Sequence, residues 1–152
     1  MIWRRRTALL VALLVISSVA LAQASAAAAE RRLFELANQE RRAQGLPALK
    51  WDGALASAAR RHAEEMARQN LVAHNVPGEP SLPSRATKTG ARYGWLSENV
   101  TQSSSATAAH AQFMKSPNHK ANILDSDMDS VGIGVVERHG KLFVVQDFSK
   151  AK

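Results

Sequence analysis

The spacing of apolar residues divides the chain into helical and extended stretches. From Glu30, Leu33, Leu36 and Ala37 recur at helical spacing, with Glu35, Arg41 and Arg42 beside them and Gly45 ahead of Pro47 as a stop. Asp52 stands where an N-cap belongs. It precedes a stripe of Leu55, Ala58, Ala59, His62, Ala63 and Met66, with Arg60, Arg61, Glu64, Glu65 and Arg68 off the stripe. Residues 76–90 hold Pro77, Gly78, Pro80 and Pro83 among Ser and Thr residues, too many breakers for a regular element, and are expected to form a long loop. Tyr93, Trp95 and Val100 place a short strand within residues 91–101. A helix is expected from Ser103 to Lys115, and Ser116-Pro117 supplies a capping side chain and an N1 proline for a short helical turn through Leu124. Val131, Ile133 and Val135, then Leu142, Val144 and Gln146, alternate on either side of His139-Gly140, the signature of a β-hairpin. The order helix, helix, long loop, strand, helix, short helix, hairpin predicts an α+β layered domain without internal repeats.

The first residues read differently. Arg4, Arg5 and Arg6 precede an apolar run over residues 8–16, and Ala22-Gln23-Ala24 and Ala24-Ser25-Ala26 follow, the order of a secretory signal peptide. The expected organisation is a signal peptide over residues 1–26 and one domain over 27–152. The alternative is an uncleaved anchor over residues 7–29. Export to a periplasm or the medium is the expected localisation, with no integral membrane segment after cleavage.

Composition changes this picture in two respects. The formal charge of +7 falls to 17 basic against 13 acidic residues once the three leader arginines are set aside, and the remaining charges are interspersed. With aromatics at 5%, neither a basic footprint nor a stacking platform for nucleic acid is present. The absence of cysteine excludes disulfides, thiolate metal sites and cysteine nucleophiles.

Candidate chemistry rests on the histidines and Glu98. His62 lies on an apolar stripe and reads as a packed, hydrogen-bonded core residue; His139 is a turn residue, and His110 has no partner nearby in sequence. His74 stands at the mouth of the long loop. His119 stands in a first helical turn, where the dipole lowers an imidazole pKa, and Glu98 follows a strand-like segment. Two imidazoles and a carboxylate from three elements suffice to hold a divalent metal or to orient a water, although spacing alone does not bring them together. The serine-hydrolase elbow, the phosphate loop and the dinucleotide turn are absent from the sequence.

Several segments in this order resemble the CAP superfamily (cysteine-rich secretory proteins, antigen 5, pathogenesis-related protein 1), and in particular its bacterial SCP-like branch. They are Leu36-Ala37-Asn38-Gln39-Glu40-Arg41, Leu49-Lys50-Trp51-Asp52, His74, Ser97-Glu98-Asn99, the stretch Ser116-Pro117-Asn118-His119-Lys120-Ala121-Asn122-Ile123-Leu124, Val131-Gly132-Ile133-Gly134-Val135 and Val145-Gln146-Asp147-Phe148. The resemblance covers roughly residues 30–149. It implies a three-layer α-β-α sandwich with a cleft at His74, Glu98 and His119, supported by Asn99 and Ser116. Three departures accompany it: Ser97 replaces a glycine, Phe113 stands where tryptophan is usual, and the family's second glutamate has no counterpart near Ser116.

What the resemblance favours over an enzyme is an exported binding module whose cleft holds Zn²⁺ or another divalent cation, or a small polar ligand. One alternative is a zinc-dependent hydrolase with Glu98 as general base. Another is an extracellular protein that meets lipid or cell-wall components while its cleft is vestigial.

Overall fold

The computed structural model describes the backbone of residues 3–150 and the side chains of residues 20–150. Helix α1 (Trp3–Ala43) starts well before Glu30. The alanine-rich run of residues 24–29 contains nothing that ends a helix, so the Glu30 start is corrected toward the N-terminus. The apolar run over residues 8–16, on which the signal-peptide expectation rests, lies outside the described side chains. Residues 20–25 are exposed, and firm burial begins with Glu30, Leu33 and Ala37. Gly45, at φ +70°, closes the helix: its N–H bonds Arg42 O and that of Leu46 bonds Arg41 O, the paired pattern of a left-handed C-terminal stop.

Strand β1 (Lys50–Trp51) is a two-residue element that periodicity did not reveal. Asp52 caps α2 (Gly53–Gln69) by accepting from Ala54 N at 2.8 Å and Leu55 N at 2.9 Å, as its position suggests. The expected loop over residues 76–90 contains a helix, α3 (Leu82–Lys88). Its proline sits in the first turn, where a missing N–H costs nothing, and Gly90 at φ +86° follows as a terminator, so these breakers frame a helix instead of preventing one. Strand β2 (Trp95–Ser103) is longer than expected and takes Ser103, so α4 (Ala106–Lys115) begins later, capped by Ser105 Oγ on Ala108 N. In α5 (Pro117–Leu124) Ser116 occupies the N-cap position, but its side chain makes no capping bond. The hairpin is as expected: β3 (Ser130–Arg138) and β4 (Lys141–Lys150) meet at His139 and Gly140, both at positive φ, the backbone a two-residue turn between twisted strands needs.

The four strands lie in the order β1-β3-β4-β2, with β1 parallel to β3 and the other pairs antiparallel. Helix α2 covers one face, and α1, α4 and α5 cover the other, which gives the expected three layers. Alternation along the strands sorts the core. Val131, Ile133, Val135, Val144 and Phe148 pack with Leu33, Phe113 and Ile123 on the face of α1, α4 and α5. Phe143, Val145 and Val100 pack with Ala59, Ala63 and Met66 of α2. Helix α2 rests directly on β3 because Gly132 and Gly134 lack side chains: a Cβ there would lie 2.0 Å from Ala56 N or 2.2 Å from Arg60 N.

Candidate functional site

Register places Glu98 of β2 opposite Asp147 of β4, two residues from the Val100/Val145 pair and on the same face, toward α2. The α2 stripe brings His62, fully buried, to this point. The segment leaving α2 returns His74 to the sheet edge, and α3 contributes Arg85. Glu98 is thereby enclosed. Its Oε1 accepts from His74 Nδ1 at 2.8 Å, its Oε2 accepts from Arg85 Nη2, and His62 Nε2 lies 3.8 Å from Oε2. Burial pushes the Glu98 carboxyl up, but the His74 hydrogen bond together with Arg85 and His62 outweighs it and leaves the group below its ordinary value.

Asp147 behaves in the opposite way. It is fully buried, and no N–H reaches either oxygen. Burial first, and then the Glu98 charge, hold it well above the usual carboxylate range. The protonated acid is the form that fits, because it alone can donate to Glu98.

His62 has Nε2 2.9 Å from the Ala73 carbonyl and Nδ1 2.6 Å from Glu79 Oε2. A carbonyl only accepts, so Nε2 carries hydrogen and Nδ1 shares one with Glu79. The reading of His62 as a packed, hydrogen-bonded residue holds, yet it also belongs to the wall around Glu98. Arg85 donates to Pro80 O at 3.1 Å and fixes the turn after residue 76 to the same cluster.

The sequence candidates come together in part. His74 and Glu98 are bonded. The His74 side chain is 55% exposed, and Nε2 has no partner among the described residues. The Glu98 hydrogen bond raises its pKa, against burial. His119 arrives from the other layer on α5, half-buried, its ring edge-on to Phe113 with centroids 5.3 Å apart. Its pKa is lowered, as expected, but by burial and by the charge of the nearby His74. No hydrogen bond joins it to His74 or Glu98 among the described residues. Asn99 faces α5: its Nδ2 donates to His119 O at 3.0 Å and Gln146 Oε1 at 3.2 Å, and Asn122 Nδ2 donates to Asn99 Oδ1 at 2.8 Å. Asn99 thus ties the backbone of His119 to β2.

Among the described residues, no group of three or more His, Cys, Asp or Glu side chains is arranged to hold a metal ion. His110, set aside for want of a sequence neighbour, has Nε2 3.5 Å from Glu40 Oε1. Sequence reasoning missed Glu79, Arg85 and Asp147. Only Asp147 left a trace, as one of two polar residues interrupting an apolar strand.

The family model for the cysteine-rich secretory protein family, CAP, matches residues 34–148. The uncharacterized protein YkwD of Bacillus subtilis is 30% identical over 130 residues, covering 85% of this chain and 50% of that protein. An extracellular protein containing an SCP domain from Bacillus anthracis superposes with a TM-score of 0.77 at 26% identity, over 82% of this chain and 41% of that one. An outer surface protein of Borrelia burgdorferi shares the fold with a TM-score of 0.75 at 19% identity, over 82% of this chain and 93% of that one. The chain spans half the length or less of the curated relatives it matches. Among the described residues no helix is long and apolar enough to cross a membrane. Family match, layer order and sheet topology agree, and the chain belongs to the CAP family, as an SCP-type domain.

Proposed function

We propose that the chain is an exported binding module in which His74 and His119 take a divalent cation or a small polar ligand, while Glu98 orients His74 without touching the ligand. One observation carries this reading: the Nδ1–H of His74 donates to Glu98 and leaves Nε2 exposed and unpartnered among the described residues. A ring nitrogen that binds a metal commonly has its other N–H on a carboxylate, which fixes ring orientation and raises basicity. The His119 ring nitrogens also have no partner among the described residues. Two imidazoles leave the remaining positions of a cation to water or to a ligand.

Binding is favoured over hydrolysis because both Glu98 oxygens are engaged, by His74 and by Arg85. A general base needs a free oxygen within reach of its water. The exposure of residues 20–25, with burial starting at Glu30, supports a leader ending near residue 26 and a domain over 27–152, consistent with action in a periplasm or the medium.

The test is calorimetry of zinc and magnesium on wild type, a His74→Ala/His119→Ala double variant and Glu98→Gln. Zinc binding is expected in wild type, absent in the double variant and weakened about 10- to 100-fold by Glu98→Gln. Acidification should weaken it, because protons compete for the His74 nitrogen. Equal loss in Glu98→Gln and the double variant would make Glu98 a ligand itself. No binding in wild type would overturn the cation reading and turn attention to lipid and cell-wall partners.

A further inference from the structure

Asp147 is buried beside the His74 site, and the cation-binding reading gives it no task. It stands on β4 between two neighbours in the sheet, Glu98 of β2 on one side and Gly132 of β3 on the other. Gly132 has no side chain to offer, and the α2 backbone at Leu55 and Ala56 lies directly on it, which helps to close Asp147 off from water. The charged groups around it are turned to other partners. From α3, Arg85 donates to Glu98 and to Pro80 O. From α2, His62 meets Glu79 of the following turn, and His74 donates to Glu98.

Two carboxyl groups thus meet across β2 and β4, within hydrogen-bond reach of each other in a dry site. Such a pair does not ionise twice; one member keeps a proton. Glu98, held by Arg85 and His74, is the member that ionises, and Asp147, which no N–H reaches, is the member that keeps the proton and gives it to Glu98. The pair then carries one negative charge, matched by the one guanidinium of Arg85. His74 is asked only for an N–H. A second ionised carboxyl would have no cation of its own and would hold His74 as an imidazolium, with Nε2 protonated and closed to a metal ion.

We propose that Asp147 is a positioning residue of the His74 site: its carboxylic proton, donated to Glu98, keeps the cluster at one negative charge and leaves His74 Nε2 open to a cation. The inference rests on the cation-binding reading of His74, but its parts are measurable without a cation. Asp147 touches no ligand. It acts through Glu98, as the innermost link of a chain that runs Asp147, Glu98, His74 from the sheet interior to the surface. The unliganded protein therefore holds a carboxylic acid at neutral pH, and that acid lies on β4.

The test compares the full chain with Asp147→Asn, which keeps a donor for Glu98, and Asp147→Leu, which has none. Infrared spectra at neutral pH should show a protonated-carboxyl band in wild type that disappears in Asp147→Asn. In ¹⁵N spectra of the metal-free proteins, His74 should titrate alike in wild type and Asp147→Asn. In Asp147→Leu, Glu98 loses a donor and draws the His74 N–H harder, so the His74 curve should move to higher pH, and the acid loss of zinc binding should begin at higher pH with it. A purely structural Asp147 would alter unfolding stability and leave the His74 curve in place. Absence of the band from wild type, a band that survives Asp147→Asn, a displaced His74 curve in Asp147→Asn, or an unmoved one in a folded Asp147→Leu would each overturn the proposal; if Asp147→Leu does not fold, the band and the Asp147→Asn curve decide. Zinc binding absent from wild type, with band and curves as expected, would overturn the cation reading alone.

Discussion

Adjacent residues on two strands lead opposite lives. Glu98 and Asp147 form a pair facing α2, and their neighbours Asn99 and Gln146 form the next pair, facing α5. All four are buried. The amide pair is held by neutral hydrogen bonds to each other, to Asn122 and to the His119 backbone, although Gln146 Nε2 finds no acceptor. In the carboxyl pair Glu98 is met by Arg85 and His74, while burial and the Glu98 charge hold Asp147 well above the usual carboxylate range. The amide face therefore fixes α5 whatever the pH, and the carboxyl face carries the part of the site that responds to charge.

The largest expected effect breaks the carboxyl side. Arg85→Met strands a buried carboxylate and should destabilise the fold by about 3–5 kcal/mol at neutral pH in urea denaturation. A loss no larger than that of a surface substitution would mean that Glu98 takes up a proton and needs no cation. Next, Asn99→Ala leaves Asn122 and the His119 carbonyl short of a partner and should cost about 1–3 kcal/mol, with a pH profile parallel to wild type. Non-parallel profiles would show that the two faces are electrically joined.

Asp147→Asn should move stability in the other direction. Burial and the Glu98 charge raise the folded pKa of Asp147 above its unfolded value of about 3.9, so the native state keeps a proton that the unfolded chain releases. Its contribution is fullest below the unfolded pKa and declines as pH rises toward the folded one. An asparagine keeps a donor for Glu98 without that decline, and the variant should match or exceed wild type by about 1 kcal/mol at neutral pH, with a flatter profile. A marked loss would place the proton elsewhere in the cluster.

The smallest effect concerns His74. With its pKa raised, the stability it contributes is present below about pH 6.5, the unfolded value, and is lost as pH rises through the folded one. His74→Ala should thus lower the melting midpoint slightly in mild acid and not at all in alkali.

Much of this architecture was legible in the sequence because period and capping carried it. The α2 stripe behind Asp52, the alternation around His139-Gly140 and the Ser116-Pro117 entry to α5 each identify an element from a few residues. Helix α3 was hidden because its proline was read as a breaker, and β1 because two residues have no period. At the site, His74 and Glu98 were singled out from their places beside predicted elements and Asn99 from motif resemblance, and the structure brings His74 against Glu98 on β2. Arg85 and Glu79 left no signal, since their partners lie 13 and 17 residues away and only the path of the chain between α2 and β2 joins them.

The glycine notch in β3 has a mechanical meaning. With Gly132 and Gly134 in backbone contact with α2, no layer of side chains lies between helix and strand to act as a bearing, and shear between the two is blocked. His62 is therefore a fixed reference point on the sheet. Through its bonds to Pro80 O and Glu98, Arg85 ties the segment from Leu71 to Gly94 to that same reference point.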